Sequence, residues 1–137
     1  MEVSSLTLLR VDPRDLRAER YTLSTSGAFG SSGGLDARES RTTWSTAIPQ
    51  EEALAILSPL DDPQWWRRLS EAESGAGREA AVRTSIEWRG PDWNRSREVA
   101  GDPELLQPLL ESLRSISRRR FDATLDALPG AGDRFRR

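Results

Sequence analysis

From Val82 to Arg89 the chain alternates without a break: Val82, Thr84, Ile86 and Trp88 fall on one side, Arg83, Ser85, Glu87 and Arg89 on the other. Successive side chains of a strand point to opposite faces, so this run predicts a strand with one buried and one wet face. Gly90-Pro91-Asp92 turns the chain into Trp93 to Val99, which makes residues 80 to 99 a hairpin. The apolar face of such a hairpin needs a cover. The segment after Asp102-Pro103 supplies one, because Leu105, Leu106, Leu109, Leu110, Leu113 and Ile116 recur at helical spacing. Pro108 forfeits a backbone bond inside that pattern, which predicts an opening turn over 103–107 and regular helix over 108–119.

The first half of the chain repeats the scheme. Val3 to Val11 reads as a strand stopped by Asp12-Pro13, and Arg14 to Arg20 as a connector. From Tyr21 the period is two again, with Tyr21, Leu23 and Thr25 on one side. The small residues of Ser26 to Gly34 read as a loop, and Glu39 to Ile48 as the returning strand, with Thr42, Trp44, Thr46 and Ile48 facing inward. Pro49 opens a helix with Glu51 and Glu52 at its positive end and Ala53, Leu54, Leu57 and Leu60 as its buried stripe. Asp62-Pro63 starts a short apolar turn or helix carrying Trp65, Trp66 and Leu69, and Glu71 to Arg78 reads as a loop. The expected fold is α+β: an antiparallel sheet of four to five strands, built from two hairpins and covered on one face by two amphipathic helices.

A chain of 137 residues has room for one core. We expect a single domain over 1–120 and an Arg-containing tail over 121–137, in which Leu125 and Leu128 are placed to dock as a short helix. The opening Met1-Glu2-Val3-Ser4-Ser5 lacks the basic and apolar regions of a secretion signal, and no run approaches the ~18 apolar residues of a membrane span. A cytoplasmic chain with no membrane partner is therefore expected.

The sequence contains no histidine and no cysteine. That removes Ser-His-Asp and Cys-His catalysis, the usual zinc ligands and the commonest proton shuttle near neutral pH. Paired carboxylates remain, but Glu51/Glu52 and Asp61/Asp62 sit where helix starts recruit acids for capping. The Gly27 to Gly34 run is followed by no Gly-Lys-Ser/Thr and leads into a strand pattern, unlike a phosphate-cradling loop. No catalytic residue, metal site or cofactor is implied, and a non-enzymatic protein-binding role is expected.

Three features are candidates for partner contact. Phe29 is the one large apolar side chain of the Ser26-Gly27-Ala28-Phe29-Gly30 stretch, where a glycine-rich hairpin tip would let it reach into a cleft. Of the tryptophans, Trp88 reads as core, while Trp93 at the hairpin mouth and one of Trp65 and Trp66 cannot both be easily buried, and an exposed Trp there would be an interface anchor. Arg118-Arg119-Arg120 ends the long helix, where cations complement the dipole and also form a positive patch. The net charge is −2, yet Arg114 to Arg137 holds seven Arg against three acids. A nucleic-acid-associated module using that segment is the second reading.

From Tyr21 to Ser117 the layout resembles the emfourin family of small cytoplasmic bacterial proteins. A strand runs into Ser26-Gly27-Ala28-Phe29, which is similar to the family's Ser-Gly-Gly-Phe signature with Ala28 in place of the second glycine. Arg41-Thr42-Thr43-Trp44, the proline-opened helix Pro49 to Leu60, the Trp65-Trp66 turn, the hairpin Arg83 to Val99 and the Leu-rich helix Pro103 to Ser117 follow in the family's order. The resemblance implies an inhibitor of thermolysin-like metalloproteases, a task that needs neither His nor Cys in the inhibitor.

Overall fold

A computed structural model of the chain describes residues 3–13, 17–39, 41–74 and 82–127, the side chains of 72–74 and 120–127 excepted. Six strands form one antiparallel sheet: β1 (Ser5–Asp12), β2 (Arg17–Ser24), β3 (Ala28–Gly33), β4 (Trp44–Ala47), β5 (Arg83–Arg89) and β6 (Asn94–Ala100). Their order is β4-β3-β2-β1-β5-β6, so the first strand lies near the centre, paired with β2 on one side and β5 on the other.

The register explains the core. Thr46, Phe29, Leu23, Leu6, Trp88 and Arg95 stand in one row across the sheet, and Trp44, Ser31, Tyr21, Leu8, Ile86 and Arg97 in the next. Each row is apolar in the middle and polar or half-exposed at an edge strand, so the core sits under β1, β2 and β5. Over this face lie α2 (Gln50–Leu57), α3 (Pro63–Ser74) and α4 (Gln107–Ala127), contributing Ala53, Leu57, Trp66, Leu69, Leu109, Leu110, Leu113 and Ile116 to the buried cluster. Two single turns of tighter 3-10 helix join them in, Ser58–Asp61 with buried Leu60 and Glu104–Leu106 with buried Leu106. Asp62 Oδ1 accepts from the Gln64 N–H at 2.9 Å and caps α3, and the Trp66 Nε1–H donates to the Leu60 carbonyl at 2.8 Å.

The α+β class, the hairpin expected over 80–99, described from residue 82, and the two-part last helix match the sequence reading. Several boundaries do not. The sheet has six strands, because the segment read as a loop contains β3; the segment read as a connector contains the start of β2, which lengthens that strand. The return strand expected over Glu39 to Ile48 shrinks to the four-residue edge β4, preceded by a short helix α1 (Gly34–Arg38). That helix lies against β2 and β3, where its Ala37 and Ala18 of β2 are both buried.

The helical layer also contains three helices where two were expected, since the Trp65-Trp66 turn extends to a twelve-residue helix that includes Glu71 to Ser74. Residues 75–78 of the loop expected there lie outside the described residues. Leu54, assigned to the buried stripe of α2, is 46% exposed. At the C-terminal end α4 continues past residue 120 through Ala127, and the expected tail from 128 onward lies outside the described residues.

Local physics accounts for β3. Its Ala-Phe-Gly-Ser-Ser-Gly sequence has little intrinsic strand preference, but pairing on both sides satisfies its backbone. Small residues are needed there: a Cβ on Gly30 would come within 2.7 Å of Thr22 Oγ1 and 3.0 Å of Thr42 Cγ2. The β2–β3 turn closes on Gly27, whose φ of +98° belongs to the left-handed region. Its N–H donates to the Ser24 carbonyl at 3.0 Å, and its own carbonyl accepts from the Ile48 N–H at 2.9 Å.

Candidate partner-binding surface

The residues that the sequence pointed to are dispersed. Ser26 and Gly27 belong to the β2–β3 turn, and Ala28, Phe29 and Gly30 begin β3. Phe29 is 2% exposed and packs on Tyr21 and Trp44, with ring centroids 6.2 and 6.1 Å away. The expected apolar anchor is thus a core residue in this fold, because alternation along β3 turns residue 29 toward the helices.

Trp66 is the buried member of the Trp65/Trp66 pair, at 3% exposure, and Trp65 is half-buried with its ring edge-on to Trp66 at 5.1 Å. Trp93 is half-buried too, edge-on to Trp66 at 6.4 Å, with the Arg95 guanidinium 5.7 Å from its ring centroid. It closes the end of the core where an open anchor was expected. Arg118 and Arg119 are exposed but paired, Arg118 with Glu111 at 3.0 Å and Arg119 with Glu52. These pairs draw the positive charge of the helix end back onto the molecule. The Arg120 side chain lies outside the described residues.

What the tertiary structure does assemble is a groove between α2 and α4. Its deeper end, about 300 Å³, is lined by Ile56, Pro59, Trp65, Leu105, Pro108 and Leu109. Ala55, Ile56, Pro108 and Ser112 carry it on toward Glu52, Glu111 and Arg119. Ile56, Trp65 and Leu105 are half-buried and rest on the main core, so their outer surfaces form an apolar floor open to solvent. Ile56 is the signal that sequence reading passed over: it lies three positions after Ala53, at the flank of the Ala53 and Leu57 stripe, and is half-buried. A larger depression of about 680 Å³ lies on the uncovered face of the sheet, among Ser5, Thr7, Ser85, Ser96 and the charged Arg20, Glu87, Arg89 and Glu98. It offers hydroxyls, the side chain of Leu9 and charged groups, some of them paired, with Arg89 on Glu87 at 2.7 Å, and no aromatic wall.

No protein-family model matches the chain, and no curated protein matches it significantly in sequence. The reading of the surface therefore rests on geometry and on the resemblance described above. Among the described residues no group of three or more His, Cys, Asp and Glu side chains is placed to hold a metal ion.

Electrostatically the most organised point is the third row of the sheet, where Gly33, Glu19, Arg10, Thr84 and Val99 align. Arg114 of α4 reaches down to Glu19 with two parallel bonds, Nε to Oε1 at 2.8 Å and Nη2 to Oε2 at 3.0 Å, the bidentate geometry that makes such pairs strong. The Tyr21 hydroxyl also donates to Oε1 at 2.9 Å, and Arg10 Nη1 stands 3.6 Å from Oε2. Arg10 is itself held by Asp102 through two bonds of 3.0 Å. Burial raises the Glu19 pKa, but the hydrogen bonds from Arg114 and Tyr21 and the charges of Arg114 and Arg10 outweigh it and hold the carboxyl below its ordinary value. Sequence reading missed this cluster because its bonded partners lie up to 95 positions apart and no local pattern connects them.

A folded carboxyl that resists protonation stabilises the native state fully above the ordinary pKa of 4.5 and loses that contribution as pH falls through the lower folded value. Glu19→Gln should accordingly lower stability at neutral pH and flatten its decline in acid. Urea midpoints measured between about pH 7 and pH 3 check this. Parallel pH profiles for the two proteins would show that Glu19 does not carry the acid sensitivity.

Proposed function

We propose that the chain is a non-enzymatic protein-binding protein that inhibits a thermolysin-like metalloprotease, with the α2/α4 groove receiving apolar side chains of its partner. The observation that carries the protein-binding part is the groove itself: a half-buried floor of Ile56, Trp65 and Leu105 between two helices. Partly desolvated aromatic and aliphatic pockets of this kind are where interface hot spots concentrate. The metalloprotease as partner comes from the emfourin-like order of segments, and a sequence without His or Cys is compatible with a binding role.

Titrating thermolysin with the purified chain tests the reading. We expect stoichiometric loss of peptidase activity, and at least ~30-fold weaker inhibition by Ile56→Glu, which places a charge on the groove floor but leaves the sheet-facing residues alone. Thermal melts of both proteins keep folding separate from binding. Absence of inhibition by the wild-type chain would remove the protease from the proposal. Full inhibition by a folded Ile56→Glu would remove the groove.

A further inference from the structure

On the side of the molecule where β1, β2 and α4 meet, a cleft of about 540 Å³ is lined by Arg10, Arg17, Arg114, Arg118, Glu19 and Gly34. Four guanidinium groups from three elements thus converge around one carboxylate. We propose that this cleft is a binding site for a phosphate group, and the proposal is independent of the protease reading.

The commitments of each side chain support it. Among the described residues Glu19 is the only acid in the lining, and it is already saturated: Oε1 accepts from Arg114 and Tyr21, while Oε2 accepts from Arg114 and faces Arg10. Its charge is thereby spent inside the protein and repels an incoming anion weakly. The pair also acts as a strut, since the two bonds to Glu19 hold Arg114 in one orientation at the back of the cleft. Arg10 is held in the same way by Asp102. Pre-oriented guanidinium groups lose little freedom when a ligand arrives.

The front of the cleft differs from the back. Arg17 is exposed at the start of β2, and Arg118 is 62% exposed and, among the described residues, engaged only through Nη1, by Glu111. Each guanidinium carries five N–H donors in a planar fork, so these two side chains retain most of theirs. Gly34 opens the remaining wall, with empty space where a side chain would project. Two anchored cations behind and two adjustable ones in front favour a ligand with several acceptor oxygens and more than one negative charge, which describes a phosphate better than a carboxylate. The same chemistry is offered by inorganic phosphate and by a phosphate ester.

The experiment uses the full chain and follows arginine Nε–Hε resonances by NMR during titration with inorganic phosphate, with phosphoserine as the ester and with acetate. Sodium chloride holds the ionic strength constant throughout, because exposed charges respond to salt alone. Saturable shifts with phosphate or phosphoserine, and at least about tenfold weaker response to acetate, are expected. Whichever of the first two binds more tightly identifies free phosphate or an ester as the source. Arg17→Gln combined with Arg118→Gln, both exposed and outside the Glu19 bonds, should weaken phosphate binding at least about tenfold while the melting temperature stays the same. Linear shifts indistinguishable from those of chloride, acetate binding as tight as phosphate, or undiminished binding by the folded double variant would each overturn the assignment.

Discussion

Phe29→Ala is expected to destabilise the chain by about 3–5 kcal/mol, the range for emptying a buried aromatic site. The ring stands in the most apolar row of the sheet, between Leu23 of β2 and Thr46 of β4, and touches both Tyr21 and Trp44. Neither strand alone can collapse into the space, because each is pinned by its own ladder. Urea denaturation of the two proteins measures the loss. A change under about 1 kcal/mol would mean that residues 28–33 are not held as a strand in solution and that Phe29 is free to serve as the partner anchor its neighbours in sequence suggest.

Gly27→Ala should cost at least about 2 kcal/mol, a large effect for adding one methyl group. Two independent penalties combine. The φ of +98° is one that side chains rarely adopt, and the new Cβ would collide with the Ile48 carbonyl oxygen, a backbone atom that cannot rotate away. Relief requires parting Gly27 from Ile48, whose N–H donates to the Gly27 carbonyl, and so loosens the start of α2 as well. Gly34→Ala is the control. It also has positive φ, at +59°, but open space around the missing Cβ, so only the conformational cost of ~1 kcal/mol applies. Equal losses at the two glycines would show that the contact with Ile48 is unimportant.

The groove was half legible in the sequence. Trp65 stood out as one of two adjacent tryptophans that cannot share a face, and the structure leaves it half-buried on the groove floor. Ile56 and Leu105 were equally visible as apolar residues, but their exposure depends on the separation and tilt of α2 and α4, which no periodicity encodes. The arginine cleft was less legible still. Arg118 was noticed as part of a run of three, whereas its neighbours across the cleft come from strands near the other end of the chain.

Local pattern alone determined the β5–β6 hairpin, the proline-marked start of α2, the Asp62 cap of α3 and the broken start of α4, because each depends on residues within one or two turns of one another. Alternation also assigned Trp88, Leu23 and Ile86 to the core with no knowledge of their partners. Only the tertiary structure decided that Ala28–Gly33 is a strand, that Phe29 faces inward and that Arg10, Glu19 and Arg114 meet. The physical reason is common to all three. A glycine- and serine-rich segment gains strand geometry only from hydrogen bonds offered by both neighbours, and an ion-pair network exists only where separate elements are brought within a few ångströms of one another.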